Sequence, residues 1–349
     1  MRYRERVTTG MLSVTIATVA VAGAGLVMPS AAQSQNAAAG GAPRTAWGQP
    51  DLQGVWDFRT ITPMERPEAL ADQEFLSAED VADLEQGIAD RDARLAARPA
   101  QRTVPTNSVD RGVDGAPGSY NQFWMDRGTR VIGTRRTSLV VDPPNGRIPP
   151  MTPAGEQRRA AEREYVRDHP ADSWVDRSIY ERCILGFNSG PPIEPRAYNN
   201  HMQVFQTRDH VVIFNEMVHD ARIIPLALRD PLPDHLRQWM GDSRGRWEGD
   251  TLVIETSNLD RLNSFTWRQG ATQDMQLVER FTRVDDGTLL YEFTVEDPAT
   301  WTRPWSVEVP MARSLDQVWE FACHEGNYGM DGILAGHRAD ERAAASESR

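Results

Sequence analysis

The stretch Leu277–Asp297, LVERFTRVDDGTLLYEFTVED, contains two runs in which apolar and polar residues alternate. Successive side chains of a β-strand point to opposite faces, so this alternation predicts one packed face and one solvent-exposed face. In the second run the apolar face carries Leu289, Tyr291, Phe293 and Val295. The Asp-Asp-Gly between the runs is typical of a tight turn. The stretch therefore predicts a β-hairpin with one buried face.

The same pattern continues on both sides of this hairpin. Further strand-like runs begin at residues 201, 210, 221, 245, 251 and 305, and a last one is predicted at Gln317–Cys323. Most connections are short, and the alternating strand–helix pattern of a parallel sheet does not occur in the sequence. Seven or more sequential antiparallel strands predict a mainly β fold, an antiparallel up-and-down barrel.

Two helices are predicted at the periphery of this barrel. Ser77, with Asp80 three residues later, forms a capping-box sequence ahead of apolar residues at helical spacing. Thr152 and Pro153 begin a second helix that Pro170 ends. The second helix is polar nearly all round, which is typical of a surface position.

The N-terminal 32 residues have the features of a secretory signal peptide. Three arginines precede an apolar run at 11–28, and small residues favour cleavage after Ala32. The alternative is an uncleaved membrane anchor, because the apolar run is long for a signal peptide. The remaining organisation is expected to be a linker at 33–46, a single β-barrel-like domain at 47–341 and a disordered tail at 342–349. We therefore expect a periplasmic or secreted protein.

Composition narrows the class of partner. The chain has 349 residues, 40% of them hydrophobic, and a formal net charge of −12. Nucleic acids and anionic membrane surfaces bind clustered Lys and Arg, so the acidic balance argues against both. No second apolar stretch is long enough to span a bilayer, so no membrane partner is expected after signal cleavage. A small-molecule ligand or substrate is the expected partner, and the oligomeric state is left open.

The chain contains two cysteines, Cys183 and Cys323. In an exported protein such a pair favours a disulfide over a free nucleophile or half of a metal site. We therefore predict a Cys183–Cys323 disulfide.

The segment 198–222 is the densest in side chains that can carry chemistry. Its candidate catalytic residues are His201, Glu216 and His219, as general acids or bases. Its candidate substrate-binding residues are Tyr198, Asn199 and Arg222. The alternative is a structural cluster at a barrel rim, with Glu216 paired to Arg222.

A fourth candidate catalytic residue is Glu279, which lies between Leu277 and Phe281 on one strand face. An inward carboxylate loses its water, which raises its pKa and suits a general acid. The same position equally suits a carboxylate held by an arginine across the sheet.

Motifs for cofactors are missing from the sequence. No His-x-His or His-Glu-x-x-His supports a metal site built from His201, His219 and His324. Walker A, Gly-x-Gly-x-x-Gly and Gly-x-Ser-x-Gly are also missing, which argues against an NTPase, a dinucleotide enzyme or a serine hydrolase of that type. We expect neither a metal nor another cofactor.

Two resemblances rest on short motifs. Gly54-Val55-Trp56, in LQGVW, resembles the Gly-x-Trp on the first strand of lipocalin-like (calycin) barrels. The motifs WEGDTLV, ERFTR and ACHEGNYGM are similar to those of a widespread class of exported bacterial proteins, over roughly 47–341. These resemblances imply export and a β-rich fold, and they imply no catalytic residues.

Two functions are compatible with these observations. The first is an exported enzyme that acts on a small, largely apolar organic molecule in a barrel cavity by general acid–base chemistry, as a hydratase or dehydratase, an isomerase or a hydrolase. The second is a periplasmic lipocalin-like carrier of a small hydrophobic ligand, and a solid structural barrel is a third reading. The density of polar groups between Tyr198 and Arg222 favours the enzyme.

Overall fold

The alternating segments form one antiparallel sheet in a computed structural model, which describes residues 42–97, 125–227, 229–260, 270–325 and 327–347. Within those residues the sheet has ten strands. They are β1 Gly54–Asp57, β2 Val140–Asp142, β3 His201–Gln206, β4 His210–Asn215, β5 Ala221–Pro225, β6 Asp242–Glu248, β7 Thr251–Ser257, β8 Gln276–Arg283, β9 Thr288–Glu296 and β10 Trp305–Ser314. The predicted signal peptide and most of the predicted linker lie outside the described residues.

The strand order combines two meanders. It runs β5-β4-β3-β1-β10-β9-β8-β7-β6, and the short β2 also pairs with β10. Strands β3 to β5 and β6 to β10 each follow chain order, as the alternation predicts. β1 joins the two meanders because it pairs with β3 on one side and with β10 on the other.

The prediction of a closed barrel is wrong. β5 and β6 are the two edges of the sheet, and no ladder joins them in the part of the chain described. Pro225 ends β5 without an amide hydrogen, and Pro231 and Pro233 lie in the connection, so no tight hairpin leads into β6. The sheet is nevertheless curled, so that its two edges approach each other. A Cβ atom on Gly245 of β6 would lie only 2.8 Å from the side chain of Leu226, which directly follows β5.

The interior of the curl is the core, as the alternation of the opening hairpin predicts. Leu289, Tyr291, Phe293 and Val295 are each no more than 1% exposed. Trp56 of β1 and Trp305 of β10 are fully buried with them. Trp56 also satisfies its polar atom, since its Nε1 donates to the Leu52 carbonyl at 2.9 Å. The buried aromatic side chains of β1, β9 and β10 therefore belong to one core inside the curl.

Two of the three α-helices found in the described residues are the predicted ones. α1, Ala78–Ala96, begins with a capping box between Ser77 and Asp80, and α2, Pro153–Asp168, begins with Thr152 as its N-cap. α3, Tyr328–Glu347, is not predicted, because its glycines obscure the helical pattern. It continues into the predicted disordered tail, which is helical as far as Glu347. Among the described residues, no helix combines the length and apolar character needed to cross a membrane.

The predicted closing strand at Gln317–Cys323 is also wrong, because these residues form a coil. The backbone of this coil bonds to side chains instead of to a neighbouring strand. The Trp319 amide donates to Glu216 Oε1 at 3.1 Å, and the Phe321 carbonyl lies 3.1 Å from His219 Nδ1. We call residues 315–325 the strap.

The predicted disulfide is confirmed. Cys183 and Cys323 are bonded, with their Cα atoms 5.6 Å apart and a sequence separation of 140 residues. The bond fixes the strap to the buried coil that precedes β3. Because the closed loop is long, the bond removes much conformational freedom from the unfolded chain.

Removing the disulfide should destabilise the fold without changing its topology. We expect Cys183→Ala with Cys323→Ala to lower the free energy of unfolding by up to about 5 kcal/mol, because the unfolded chain regains the freedom of the loop. Urea titration of both proteins measures the difference. An unchanged unfolding midpoint would contradict the assignment of the bond as a stabilising constraint.

Candidate functional site

His201 and Glu216 meet at one end of the sheet. Met202 of β3 lies opposite Asn215 of β4, so the residues just outside this pair are neighbours. The Glu216 amide donates to the His201 carbonyl at 3.0 Å, and His201 Nδ1 lies 3.4 Å from Glu216 Oε2. The two side chains are only 10% and 5% exposed. The two predicted catalytic residues thus form a buried carboxylate–imidazole pair.

This pair does not face the interior of the curl. His201 shares its strand face with Gln203 and with Phe205, which is 47% exposed, whereas Met202 and Val204 belong to the core. The alternation predicted for β3 is therefore confirmed. His201 lies on the face of the sheet opposite the core, whereas the sequence-based hypothesis placed it in a barrel cavity.

Asp57 and Arg59 complete the surroundings of His201. The register of β1 against β3 places Asp57 directly opposite His201. Arg59 donates to both carboxylate oxygens of Asp57, and its other terminal nitrogen donates to Asp126 at 2.7 Å. Hydrogen bonds to Asp57 outweigh the effect of burial and raise the pKa of Arg59, so its charge is fixed. His201 thus lies beside an Asp57 carboxylate that is paired with the Arg59 guanidinium.

The net effect on His201 is a more basic imidazole. Burial lowers the pKa of His201, but the hydrogen bond to Glu216 and the charges of Asp57 and Glu216 outweigh burial and raise that pKa above its ordinary value. The second ring nitrogen, Nε2, is buried and has no hydrogen-bond partner in the described part of the chain. An imidazole held through Nδ1 by a carboxylate has its Nε2 left to donate or accept a proton.

The strap lies over the Glu216 side of this pair. Its Trp319 amide donates to Glu216 Oε1, which leaves Oε2 directed to His201. The disulfide at Cys323 fixes the strap four residues further on. Glu216 is therefore positioned by the strap, and a displacement of the strap would change the surroundings of His201.

His219 lies in the strained turn between β4 and β5. Val218 and His219 have positive φ values of 62° and 47°. Such values are unfavourable for a β-branched residue and are found most often at functional or tightly constrained sites. The His219 ring bonds to the Phe321 carbonyl and lies 6.2 Å from the His324 ring, centroid to centroid. His219 thus belongs to the contact between the turn and the strap.

Tyr198 belongs to an aromatic group near the start of β3. Its hydroxyl is 2.7 Å from the Tyr180 hydroxyl, and its ring packs edge-on against Phe187 at 5.1 Å and stacks on Phe321 of the strap at 6.3 Å. Asn199 follows with a positive φ of 54°, and its carbonyl accepts from Asn188. The aromatic group gives this end of the sheet an apolar surface.

Arg222 and Glu279 lie in the interior of the curl, apart from His201. Arg222 donates from both terminal nitrogens to the two oxygens of Glu279, at 2.7 and 2.9 Å. Tyr291 donates to the same carboxylate at 2.9 Å and accepts from the Ile193 amide at 3.0 Å. Burial lowers the pKa of Arg222, but the charge of Glu279 outweighs it and raises that pKa. The pKa of Tyr291 is raised well above its ordinary value by burial and by Glu279.

These contacts favour a structural role for the interior group. Glu279 is fully buried, and both of its oxygens already accept charge-assisted or phenolic hydrogen bonds. Glu216 leaves the strand at the β4–β5 turn, so Arg222 pairs with Glu279 rather than with Glu216. The structure therefore separates the predicted site residues into an outer pair, His201 and Glu216, and an inner pair, Arg222 and Glu279.

Sequence reasoning missed Asp57 and Arg59. They follow Trp56 directly, where alternation alone assigns Asp57 to the face opposite the tryptophan. β1 pairs with β3 and β10 and not with β2, the next strand in the chain, and no local pattern in the sequence signals this long-range pairing.

Comparison with known proteins gave no match: no family model, no curated protein and no solved structure matches the chain significantly.

The interior ion pair yields a stability prediction. Arg222→Met leaves a buried carboxylate without its guanidinium and should cost about 3–5 kcal/mol of unfolding free energy. Arg222→Met combined with Glu279→Gln removes both charges and keeps an acceptor for Tyr291, so the double variant should be more stable than the single one. Chemical denaturation of wild type, of each single variant and of the double variant measures this. A double variant as unstable as the sum of both single changes would contradict the pairing.

The raised pKa of His201 yields a pH prediction. The folded state holds the proton more tightly than the unfolded chain, so His201 stabilises the fold fully below about pH 6.5 and loses this contribution as the pH rises through its raised pKa. The gap in unfolding free energy between wild type and His201→Gln should therefore be larger at pH 5.5 than at pH 9.

Urea titrations at the two pH values measure that gap. His210→Gln, at an exposed position of β4, is the matched control and should show no such dependence. A gap that grows with pH would show that His201 is bound in its neutral form.

Proposed function

We propose that the protein is an exported enzyme that transfers a proton to or from a small, largely apolar organic molecule at the His201 end of the sheet. The observation that supports this most strongly is the buried His201–Glu216 pair with Nε2 free of hydrogen-bond partners among the described residues. A carboxylate-oriented imidazole with one free nitrogen is the minimum equipment of a general acid–base catalyst.

The raised pKa favours the acid form of His201 as the starting state. The imidazolium would give its Nε2 proton to the substrate, and Glu216 and Asp57 would stabilise the charged ring before transfer. Protonation of an alkene, of a leaving hydroxyl or of an ester carbonyl would begin a hydration, a dehydration or a hydrolysis. Hydration and hydrolysis each consume one water molecule and dehydration releases one, so the proton of His201 and water balance all three reactions without an oxidant or reductant.

The substrate class follows from the surroundings of the pair. Tyr198, Phe187 and Phe321 offer aromatic faces at this end of the sheet, which suit a flat or apolar molecule. Tyr198 and Asn199 remain the proposed substrate contacts. Arg222 and Glu279 have no part in the proposed reaction, because they are paired with each other inside the curl.

A periplasmic or secreted location and a lipocalin-like architecture are part of the proposal. The oxidised Cys183–Cys323 pair is compatible with export. The first strand pairs with the last, as in an up-and-down barrel, and Gly54-Val55-Trp56 lies on that first strand with Trp56 buried. The proposed fold is a lipocalin-like barrel opened between β5 and β6.

A carrier of a small hydrophobic ligand is the second candidate, and the aromatic group at Tyr198 is the observation that favours it. A carrier needs the apolar surface and has no use for an acid–base pair.

The two candidates differ in what His201 does. For the enzyme, His201→Gln and Glu216→Gln should each lower kcat/KM by roughly 10²–10⁴-fold on any active substrate from a panel of apolar esters, alkenes and allylic alcohols. The melting temperature should stay within a few degrees, and His210→Gln should leave turnover unchanged. If His201→Gln turns over the active substrates as efficiently as wild type, the proposal fails. If wild type binds anilinonaphthalene sulfonate tightly but turns over nothing in the panel, the carrier is favoured.

A further inference from the structure

A cluster of titratable side chains lies where α3 packs beside the turn that follows α2. His337 and Glu341 are four residues apart on α3, so their side chains share one face of the helix. Asp172 faces them from the turn. One ligand atom of each residue lies within 4.8 Å of those of the other two. Three potential metal ligands from two separate elements thus converge on one point.

The distances within this cluster fit one shared cation as well as they fit separate ion pairs. His337 Nε2 lies 3.2 Å from Asp172 Oδ1 and 3.5 Å from Glu341 Oε1. A single Nε2 carries at most one hydrogen, so it can donate well to only one of these two oxygens. A metal ion between the three atoms would satisfy all of them at once.

The outer atoms of both carboxylates are already held by other residues. His169 Nδ1 lies 2.7 Å from Asp172 Oδ2, and Arg338 donates to Glu341 Oε2 at 3.0 Å. Asp172 Oδ1 and Glu341 Oε1 are the atoms left to face His337. Hydrogen bonds of this kind orient the ligands in metal sites and leave one oxygen of each carboxylate for the ion.

We propose that Asp172, His337 and Glu341 bind one divalent transition-metal ion, with Zn²⁺ as the ion that suits them best. One imidazole nitrogen and two carboxylate oxygens are zinc ligands, and a three-ligand set leaves a fourth tetrahedral position for water. Ca²⁺ and Mg²⁺ prefer six or more oxygen ligands and accept imidazole poorly, so they fit this set less well.

The ion would fasten α3 to the body of the protein. None of the described residues of α3 is buried, so apolar packing holds this helix only weakly. Its polar attachment is concentrated at the same place, where Arg338 donates to the carbonyls of Ala171 and Asp172, both at 2.9 Å. α3 follows the strap in the chain. The disulfide would therefore fix the strap, and the metal would fix the helix that comes after it. This role does not depend on the reaction proposed for His201.

Isothermal titration of the full chain with ZnCl₂, in a buffer that does not chelate zinc, tests the site directly. Wild type should bind one equivalent, and His337→Gln should weaken the affinity at least 100-fold. His210→Gln, which changes an exposed histidine outside the cluster, is the matched control and should bind like wild type. Absence of saturable binding to wild type, or equally tight binding to His337→Gln, would overturn the proposal.

Two further variants keep the test decisive if His337→Gln disturbs α3. Asp172→Asn and Glu341→Gln change exposed residues, and each should also weaken zinc binding strongly. A third variant, His169→Gln, removes the outer hydrogen bond to Asp172 together with the ring contact to Tyr165, and it should weaken binding by about 10–100-fold. Circular dichroism without zinc checks that each variant folds. If both Asp172→Asn and Glu341→Gln bind zinc like wild type, the ion is bound elsewhere and the proposed site is wrong.

Discussion

β1 pairs with β3 along one edge and with β10 along the other, and the rest of the structure depends on this double pairing. Without the four residues of β1, the edges that β3 and β10 now pair with β1 would be exposed in addition to those of β5 and β6. Trp56 is fully buried in the core on one face of β1, which fixes the position of the strand. The same register places Asp57 opposite His201 on the other face. The core and the candidate site are therefore set by one short strand.

Strands β3 to β10 could be predicted because period-two alternation is a local property of the sequence. The side chains that the pattern assigns to the buried face of β9 are buried in the structure. The open edge between β5 and β6 could not be predicted, because it depends on how two distant edges of the sheet meet. Pro225 contributes to it by ending β5 without an amide hydrogen. The sequence of the strap predicts a strand because Val318 and Phe321 favour β-structure. Its backbone nevertheless forms hydrogen bonds with the side chains of Glu216 and His219 instead of with a neighbouring strand.

The structure brings only some of the candidate site residues together. His201 and Glu216 were singled out together, and the antiparallel β3–β4 pair brings them into contact. Arg222 and Glu279 were assigned to the same site, but strand parity places them inside the curl, where each satisfies the other. The sequence contains one signal for the cluster of Asp172, His337 and Glu341, which is the His337 to Glu341 spacing of one helical turn. Asp172 could not be joined to it without knowing that α3 lies beside the end of α2.

In the proposed site, Glu216 holds His201 as a basic imidazole whose Nε2 transfers the proton. The pH titration of the His201 ring nitrogens by ¹⁵N NMR, in wild type and in Glu216→Gln, tests this most directly. We predict a pKa above 6.5 in wild type and a lower pKa in Glu216→Gln, because the variant removes the negative charge beside Nδ1. A wild-type pKa at or below 6.5 that Glu216→Gln leaves unchanged would contradict the claim.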